Sequence, residues 1–244
     1  MARTVKPEEY ASKRKEILDV AQRLVLTKGY EQMAIRDILE ELQISSGAFH
    51  HYFNSRGALL EALAERLQEE MEQRVLPIAQ DPKLPALEKL RNALATILRR
   101  EINREAATLL IALLRIWFTD DNALIRQKVD AARVKRLAPL LTEIVRQGIQ
   151  EGSFSPISPH LIGELILYQI QGLQYALASR HAAFELDGNV QQYVEAVVEV
   201  YDAYMNAIER LLGVSSPFLY RTDASVIKET LVINKQMTSI SKGD

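Results

Sequence analysis

Apolar residues recur every three or four positions along most of the chain, which is the spacing of one face of an α-helix. Over residues 13–28 the pattern is carried by Ile17, Val20, Ala21, Leu24 and Val25, and Gly29 follows as a helix stop. Further helices are predicted over 34–42, a short stretch that carries Phe49 and Phe53, Arg56 to about Val75, 86–99, 103–118, 122–151, 159–183 and 190–212, with a weak one over 223–235. No segment shows a convincing strand pattern, so the predicted fold is all-α.

Two breaks in this pattern divide the helices into groups. The first four helices share one small apolar core, and the proline-rich stretch 77–85 is the first composition break after them. Beyond Gly213 the helical pattern decays into a polar tail. The predicted organisation is an amino-terminal three-helix domain, a larger helical domain and a mobile tail, over 1–60, 61–216 and 217–244.

Composition and charge narrow the class of protein. Hydrophobic residues make up 48% and charged residues 25%, which is typical of a globular chain, and ten glycines with eight prolines are too few for a turn-rich β-sandwich. The absence of cysteine excludes disulfides and fits a reducing compartment. The amino terminus is charged where a secretory signal is apolar, and no stretch is apolar enough to span a membrane, so a cytoplasmic protein is expected. A net charge of −2 gives no global basic field, so a nucleic-acid partner must be argued from local residues.

Sequence motifs of enzymes are not found. The chain has no phosphate-binding glycine loop, no zinc-protease helix motif and no nucleophile elbow, and it lacks the strands that hold most of them. The neighbours His50 and His51 suggest a metal pair, but consecutive helical side chains point about 100 degrees apart and do not easily share one ion. We therefore expect no catalytic residue, no metal site and no cofactor.

Residues 34–53 meet the demands of a helix-turn-helix, in which a short second helix enters the major groove of DNA. Phe49 and Phe53 lie four apart and can face the core. Small residues that let the backbone approach DNA, and polar or ring side chains that can hydrogen-bond to it, follow in the order Ser45, Ser46, Gly47, Ala48, His50, His51 and Tyr52. The alternative is an ordinary short helix with solvated histidines, and the pattern alone does not decide between the two.

Several blocks of the sequence together resemble the DNA-binding domain of the TetR family. They are Ile17-Leu18-Asp19-Val20-Ala21, Gly29-Tyr30, Ile35-Arg36-Asp37-Ile38 and the run from Ile44 to Leu60. The resemblance covers about residues 13–63 and agrees in spacing, glycines and apolar positions. It implies an all-helical dimeric regulator, whose variable carboxyl-terminal domain binds a small molecule and changes the spacing of two reading heads. It also implies that Arg36 and Arg56 join the reading helix in contacting DNA.

Four positions depart from the family pattern. Met33 stands where the family has a threonine or serine that caps the second helix, and it cannot accept that hydrogen bond. Gln43 replaces the usual glycine of the corner, so either the turn avoids positive φ or Gln43 is mildly strained. His50 replaces the usual tyrosine. Arg56 replaces the usual lysine and keeps a cation at a helix N-terminus, where one phosphate can bind.

The last two strong helices are predicted to hold two chains together. Helix 159–183 is apolar nearly all round, so it must be buried on two sides. Helix 190–212 has apolar residues at alternating spacings of four and three, a seam suited to left-handed helix pairing. The alternative is that both helices fill the core of one chain. The predicted four-helix dimer interface comprises Leu173, Ala176, Val190, Val194, Val197, Tyr201, Tyr204 and Ile208.

Six polar or amphipathic side chains stand in otherwise apolar helices and are candidates for an effector pocket. They are Asn103, Arg115, Trp117, Tyr168, Gln171 and Tyr175. Each has a plainer interpretation, as a satisfied core polar residue, a packed tryptophan or a tyrosine at a dimer face.

These features together predict a ligand-responsive transcriptional regulator. We expect a repressor that binds a near-palindromic operator in double-stranded DNA as a homodimer and is released by a small-molecule effector. The alternative is a helical dimeric binding or scaffold module without sequence-specific DNA recognition. The isoelectric point near 6.2, Met33 and Gln43 are the arguments for that alternative.

Overall fold

The computed structural model describes residues 7–28, 32–98, 123–225 and 227–228. Within these ranges the chain forms helices and no strand, which confirms the all-α prediction. The eight helices are α1 (Pro7–Lys28), α2 (Ile35–Leu42), α3 (Ser46–Tyr52), α4 (Arg56–Gln80), α5 (Ala86–Ile97), α6 (Ala123–Gln150), α7 (Ile162–Asp187) and α8 (Val190–Leu211). None of these described helices is long and apolar enough to cross a bilayer. The helix predicted over 103–118 lies outside the described residues.

The chain packs into two compact units. Among the described residues, the first unit consists of the chain up to Leu67 together with 123–129. The second unit begins at Gln68 and continues from Asp130 onward. The boundary therefore falls inside α4. The limits at 60 and 216 from the sequence pattern stay a prediction.

The first unit has a small apolar core shared by α1 to α4. Ile17, Ile38, Phe49 and Leu60 each contribute a fully buried side chain to it, one from each of the four helices. Burying one such side chain stabilises the fold by about 1.5–3 kcal/mol. Because α2 and α3 are too short to be stable alone in water, this core is what holds them in place.

The start of α2 differs by one residue from the expectation. The cap position is taken by Ala34, whose N–H donates to Asp37 Oδ2 at 3.0 Å. Met33 precedes the cap and is 1% exposed, and it belongs with Ile38 to the same buried cluster. An apolar residue before the cap commonly packs on the fourth helical residue, so Met33 contributes packing in place of a hydrogen bond.

The corner after α2 is built on a left-handed residue. Gln43 has φ 50° and ψ 42°, so the alternative of mild strain holds and the turn does not avoid positive φ. The N–H of Gln43 donates to the Glu40 carbonyl at 3.4 Å, and that of Ile44 donates to the Leu39 carbonyl at 3.1 Å. This pair of bonds is the Schellman arrangement that ends many helices, normally with glycine at the left-handed position.

Helix α4 does not stop before Pro77 as predicted; it continues to Gln80. A proline removes one backbone hydrogen bond and usually bends a helix. Val75 and Ala79 on either side of it are buried in the core of the second unit. In addition, Lys89 Nζ donates to the Ala79 carbonyl at 3.0 Å. Tertiary contacts therefore keep the last turn of α4 helical.

The second unit is a helical assembly around one larger core. Leu90, Leu141, Val145, Ile170 and Ile208 are fully buried in it and come from α5, α6, α7 and α8. Because these apolar contacts come from helices of the same chain, they determine which faces of α7 and α8 remain exposed to solvent.

The segment 217–225, where the sequence pattern predicts the start of a mobile tail, is held against α8. The buried carboxylate of Glu209 accepts hydrogen bonds from the N–H groups of Phe218 and Leu219, at 2.8 and 2.9 Å. Arg221 Nη2 donates to the same carboxylate at 2.6 Å. Burial alone raises the pKa of Glu209, but these hydrogen bonds outweigh it and hold the pKa below its ordinary value. Residues 229–244 lie outside the described residues.

Candidate functional sites

Helix α3 presents an exposed polar surface over a buried anchor. Its N-cap is Ser45, whose Oγ accepts a hydrogen bond from the Ala48 N–H at 3.1 Å. Ser46 and Gly47 follow as exposed residues, while Phe49 is completely buried. A Cβ added at Gly47 would meet only Ser45 Oγ, at 3.9 Å, so the space outside this residue is open. The geometry is that of a helix whose first turn can approach a large ligand closely.

The rings at the end of α3 have different surroundings. His50 is exposed and lies edge-on to the Phe49 ring, with the ring centroids 5.6 Å apart. His51 is exposed and Tyr52 half-buried, and both contact Tyr10 of α1, with centroids 5.5 and 4.8 Å away. His50 is therefore the ring with the greater freedom to reorient, whereas His51 and Tyr52 are braced by a third ring.

Two arginines flank α3 in the sequence, one on each side. The Arg36 side chain is 81% exposed on α2 and lies 3.4 Å from Glu40 Oε1, an ion pair that contributes little at such exposure. Arg56 is the first residue of α4, directly after Ser55, whose Oγ accepts from the Ala58 N–H at 3.0 Å. Arg56 thus stands at a capped helix N-terminus, the position that the phosphate prediction requires.

The predicted effector-pocket residues do not share one environment. Asn103, Arg115 and Trp117 lie outside the described residues. Tyr168 and Tyr175 are 52% and 40% exposed, which contradicts a place inside a closed pocket and favours the alternative of a tyrosine on an outer face.

Gln171 is the one described pocket candidate in a polar cluster of the interior. Its Nε2 donates to Asp130 Oδ2 at 2.6 Å, and Arg133 Nη1 donates to Gln174 Oε1 at 2.8 Å. Arg133 and Asp130 are 3.7 Å apart, with side chains 15% and 11% exposed. Burial lowers the pKa of the Arg133 guanidinium, and the Asp130 carboxylate opposes that shift. Asp130 and Arg133 are not among the residues predicted from the sequence, because charged residues within a long helix usually face water.

Most residues of the predicted dimer interface on α7 and α8 are buried within one chain. Those already buried within one chain have little area left to contribute between chains: Leu173 (0% exposed), Val194 (2%), Val197 (8%), Tyr201 (8%) and Ile208 (0%). They pack against their own chain, Val194 and Val197 in a cluster with Ile227 of the tail. Val190 is 36% exposed, and Ala176 and Tyr204 are half-buried, so these three keep some surface.

Helix α7 carries the exposed apolar surface instead. Leu161 just before it is 42% exposed, and Tyr168 and Tyr175 follow at intervals of seven residues on the same side of the helix. Leu165, between Leu161 and Tyr168, is half-buried. We call these four residues the α7 stripe. A spacing of seven is the repeat with which one helix packs along another.

Within the described ranges no three His, Cys, Asp or Glu side chains converge as a metal site would require.

Taken together, the geometry defines an all-helical protein with a helix-turn-helix in its amino-terminal unit and a larger helical unit. Residues 17–63 match the family model described as bacterial regulatory proteins, tetR family. The TetR-family regulator from Pectobacterium atrosepticum superposes with a TM-score of 0.62, at 18% identity, over 87% of this chain and all of the other. One from Haloarcula marismortui gives 0.56, at 21% identity, over 79% and 98%. Residues 17–63 therefore match the TetR family in sequence, and the chain has the TetR-family fold, which confirms the resemblance.

Curated relatives belong to the same class of protein. A nucleoid occlusion factor, SlmA, of Vibrio campbellii is 24% identical over 184 residues, which are 75% of this chain and 92% of that protein. The regulator PksA of Bacillus subtilis is 32% identical over 77 residues, 32% of this chain and 38% of that one. These relatives are a regulator and a nucleoid occlusion factor, so the chain belongs with regulatory proteins and not with enzymes.

Proposed function

We propose that this protein is a cytoplasmic, ligand-responsive transcriptional repressor. It binds a near-palindromic operator as a homodimer and releases it when a small-molecule effector binds the helical unit. The observation that carries the proposal is α3 itself. Its first turn, from Ser45 to Ala48, is capped, small and open to solvent, and Phe49 anchors it in the core. This is what entry of a helix into the major groove requires.

Two kinds of contact with DNA are proposed, one to base edges and one to phosphates. His50, exposed on α3, is assigned to base edges, while Arg36 and Arg56 outside α3 are assigned to phosphates. Phosphate contacts position a protein on the duplex, and groove contacts read its sequence. The net charge of −2 is compatible with this division, because only the local cations have to face DNA.

The test is a gel shift with DNA that flanks the protein's own gene, at several salt concentrations, with shuffled DNA as control. A specific shift is expected, and its affinity should fall with salt. Arg56→Ala should weaken binding to both DNAs and lower the salt slope by up to about one unit, as the loss of one phosphate contact predicts. No specific shift at any salt from an intact dimer would favour the scaffold alternative.

The homodimer is assigned to the α7 stripe. Most apolar residues of α8 are buried within their own chain, whereas the rings of Tyr168 and Tyr175 are 52% and 40% exposed and lie in one line. Tyrosine is enriched at protein interfaces because it buries much apolar area at low conformational cost. A second copy related by a two-fold axis would place the same stripe opposite itself and cover both.

The effector is assigned to the neighbourhood of Gln171 and the Asp130–Arg133 pair. Buried polar groups that fix the orientation of a ligand are typical of small-molecule sites. Gln171→Leu should weaken the release of DNA by the effector without changing DNA affinity in its absence. A mass spectrum of small molecules that copurify with the protein, compared with that of the Gln171→Leu variant, identifies the candidate effector.

A nucleoid occlusion factor is the second candidate function. The similarity to the Vibrio campbellii protein supports it, because the match covers 92% of that protein and so extends beyond the DNA-binding domain. Chromatin immunoprecipitation separates the two candidates. A repressor of few genes should occupy one or a few promoters, whereas sites scattered around the chromosome would favour the second candidate.

A further inference from the structure

Tyr10, in the first turn of α1, contacts the end of α3, 41 residues later in the chain. Its ring lies 4.8 Å from that of Tyr52, tilted by 34°, and 5.5 Å from that of His51 at 83°. His51 and Tyr52 are themselves edge-on, at 5.2 Å and 81°. Three rings from two helices therefore form one cluster, which we call the Tyr10 cluster.

The hydroxyl of Tyr10 makes a separate contact. It lies 3.5 Å from the backbone carbonyl oxygen of His51 and donates to it. The last carbonyls of a helix have no partner within the helix, and His51 is the penultimate residue of α3. Tyr10 thus supplies both a polar contact to the helix end and an aromatic surface beside its last side chains.

The physical need for such a brace follows from the size of α3. A helix of seven residues has little stability of its own, and its last turn frays first. His51 is exposed, and its ring contacts are with Tyr10 and Tyr52. An interface whose side chains are already ordered loses less entropy on binding.

We infer that Tyr10 is a positioning residue for DNA recognition, which holds His51 and Tyr52 in the arrangement that meets the operator. This inference rests on the proposed DNA-binding function. It adds to the residues that determine operator binding one residue of α1 that does not itself contact a base. Tyr10 acts through the two rings, so its loss should lower specific affinity while the phosphate contacts remain.

The experiment measures operator and shuffled-DNA affinity for full-length wild type, Tyr10→Ala, Tyr10→Leu and Tyr10→Phe. Ser12→Ala, an exposed neutral change on the same helix, is the matched control. Loss of the ring should cost about threefold to tenfold per half-site, and so about tenfold to a hundredfold for a dimer on two half-sites. Tyr10→Phe keeps the ring and should lose no more than about threefold, since its lost hydrogen bond is long. Shuffled-DNA affinity and the salt slope should stay at wild-type values.

A second readout does not depend on DNA. The chain has four histidines, so the imidazole proton resonances are few enough to assign by substitution. In Tyr10→Leu the His51 resonances should move, whereas those of His160 and His181 should not. Tyr10→Leu also keeps an apolar side chain in α1, so it remains informative if Tyr10→Ala fails to fold.

The outcomes separate the two proposals. If wild type binds the operator specifically and the Tyr10 variants bind it equally well, the positioning role alone is overturned. The same holds if the His51 resonances do not change in Tyr10→Leu. Equal losses on operator and shuffled DNA would also overturn it, because they would indicate a general loss of folded domain. If wild type itself shows no specific binding, the proposed function fails and this inference fails with it.

Discussion

The helix caps that position α3 and α4 in the first unit differ from the polar contacts around Gln171 and Glu209 in the second unit in how far along the sequence they reach. In the first unit Ser45 and Ser55 each accept a hydrogen bond from an N–H three residues later. In the second, Gln171 donates to Asp130, which is 41 residues away, and Arg221 donates to Glu209 across 12 residues. Local contacts leave a signature in the order of residue types, and distant ones do not.

The same contrast between local and distant contacts distinguishes the proposed DNA surface on α3 from the outer face of α7 and α8. The surface of α3 is set by helix caps and by the spacing of Phe49 and Phe53, both of which are local. The outer face of α7 and α8 is set by which apolar residues the rest of the chain covers first. The residues proposed to contact DNA therefore rest on local sequence patterns, whereas the proposed dimer face requires the packed structure.

The largest expected effect comes from Gly47 in the first unit. Gly47→Glu should reduce operator affinity about a thousandfold or more, to the level of non-specific binding, because a carboxylate would face phosphates at close range. The fold should survive, since the space beyond Gly47 is open and an acidic residue is favourable in the first turn of a helix. Circular dichroism and gel shifts on the same sample measure both.

The control for that experiment is Gly47→Gln, which has the same size without the charge. It should retain more affinity than Gly47→Glu, and the difference between them is the electrostatic part. Wild-type affinity in Gly47→Glu would remove the first turn of α3 from the DNA interface.

The second prediction sets an exposed site of the second unit against a buried one. Tyr168→Asp with Tyr175→Asp should yield folded monomers, because it places four carboxylates across a two-fold contact of the α7 stripe. Val197→Asp should instead unfold the unit, since an unpaired carboxylate is introduced where the wild-type residue is 8% exposed. Sedimentation velocity gives the mass and circular dichroism gives the helicity.

A dimer that persists in the tyrosine double variant would rule out the α7 stripe. Folded monomers from Val197→Asp would instead restore the α8 seam that the sequence pattern predicts. The folded monomer should also lose specific DNA affinity, because each α3 reads one half-site.

Much of the first unit was predictable because its signals are local. The helices and the inward-facing pair Phe49 and Phe53 follow from residue types three or four positions apart. The sequence left two conformations open at Gln43, and it placed the cap of α2 one residue early at Met33. Tyr10 was missed, because its partners lie in another helix and α1 begins at Pro7 instead of 13.

Less of the second unit was predictable, because its polar contacts join residues that lie far apart in the sequence. The helices α5 to α8 follow from apolar spacing, but the pattern cannot tell a seam covered by the same chain from one covered by a second chain. One feature of the sequence does indicate a contact between distant residues. Glu209 interrupts the apolar positions Met205, Ile208 and Leu212, and a carboxylate on a buried face requires a partner, which Arg221 supplies.

The third prediction concerns that buried carboxylate. Glu209→Gln should lower the free energy of unfolding at pH 7 by about 2 kcal/mol, because it removes the charge that accepts from Arg221 and two backbone N–H groups. Since the pKa of Glu209 is lowered in the folded protein, its contribution is complete above the ordinary glutamate value of about 4.3 and is lost as pH falls below it. Urea unfolding between pH 7 and pH 3 measures the effect.

The difference in stability between wild type and Glu209→Gln isolates this group from other carboxylates, such as Glu151, whose pKa is also lowered. That difference should shrink as the pH approaches 3. A difference that stays constant over the whole range would mean that the charge of Glu209 does not stabilise the tail segment 217–225.

The smallest expected effect concerns Gln43 in the first unit, whose backbone conformation the sequence did not determine. Gln43→Gly should raise the free energy of unfolding by up to about 1 kcal/mol. An L-residue pays about 1–2 kcal/mol in the left-handed region, while glycine loses about 0.5–1 kcal/mol more in backbone entropy on folding, so a modest gain remains. Gln43→Ala is the matched control, because it removes the same side chain and keeps the strain, and it should gain nothing. If both variants are equally stable, the Gln43 backbone is not strained, and the corner between α2 and α3 is as relaxed as the helices it joins.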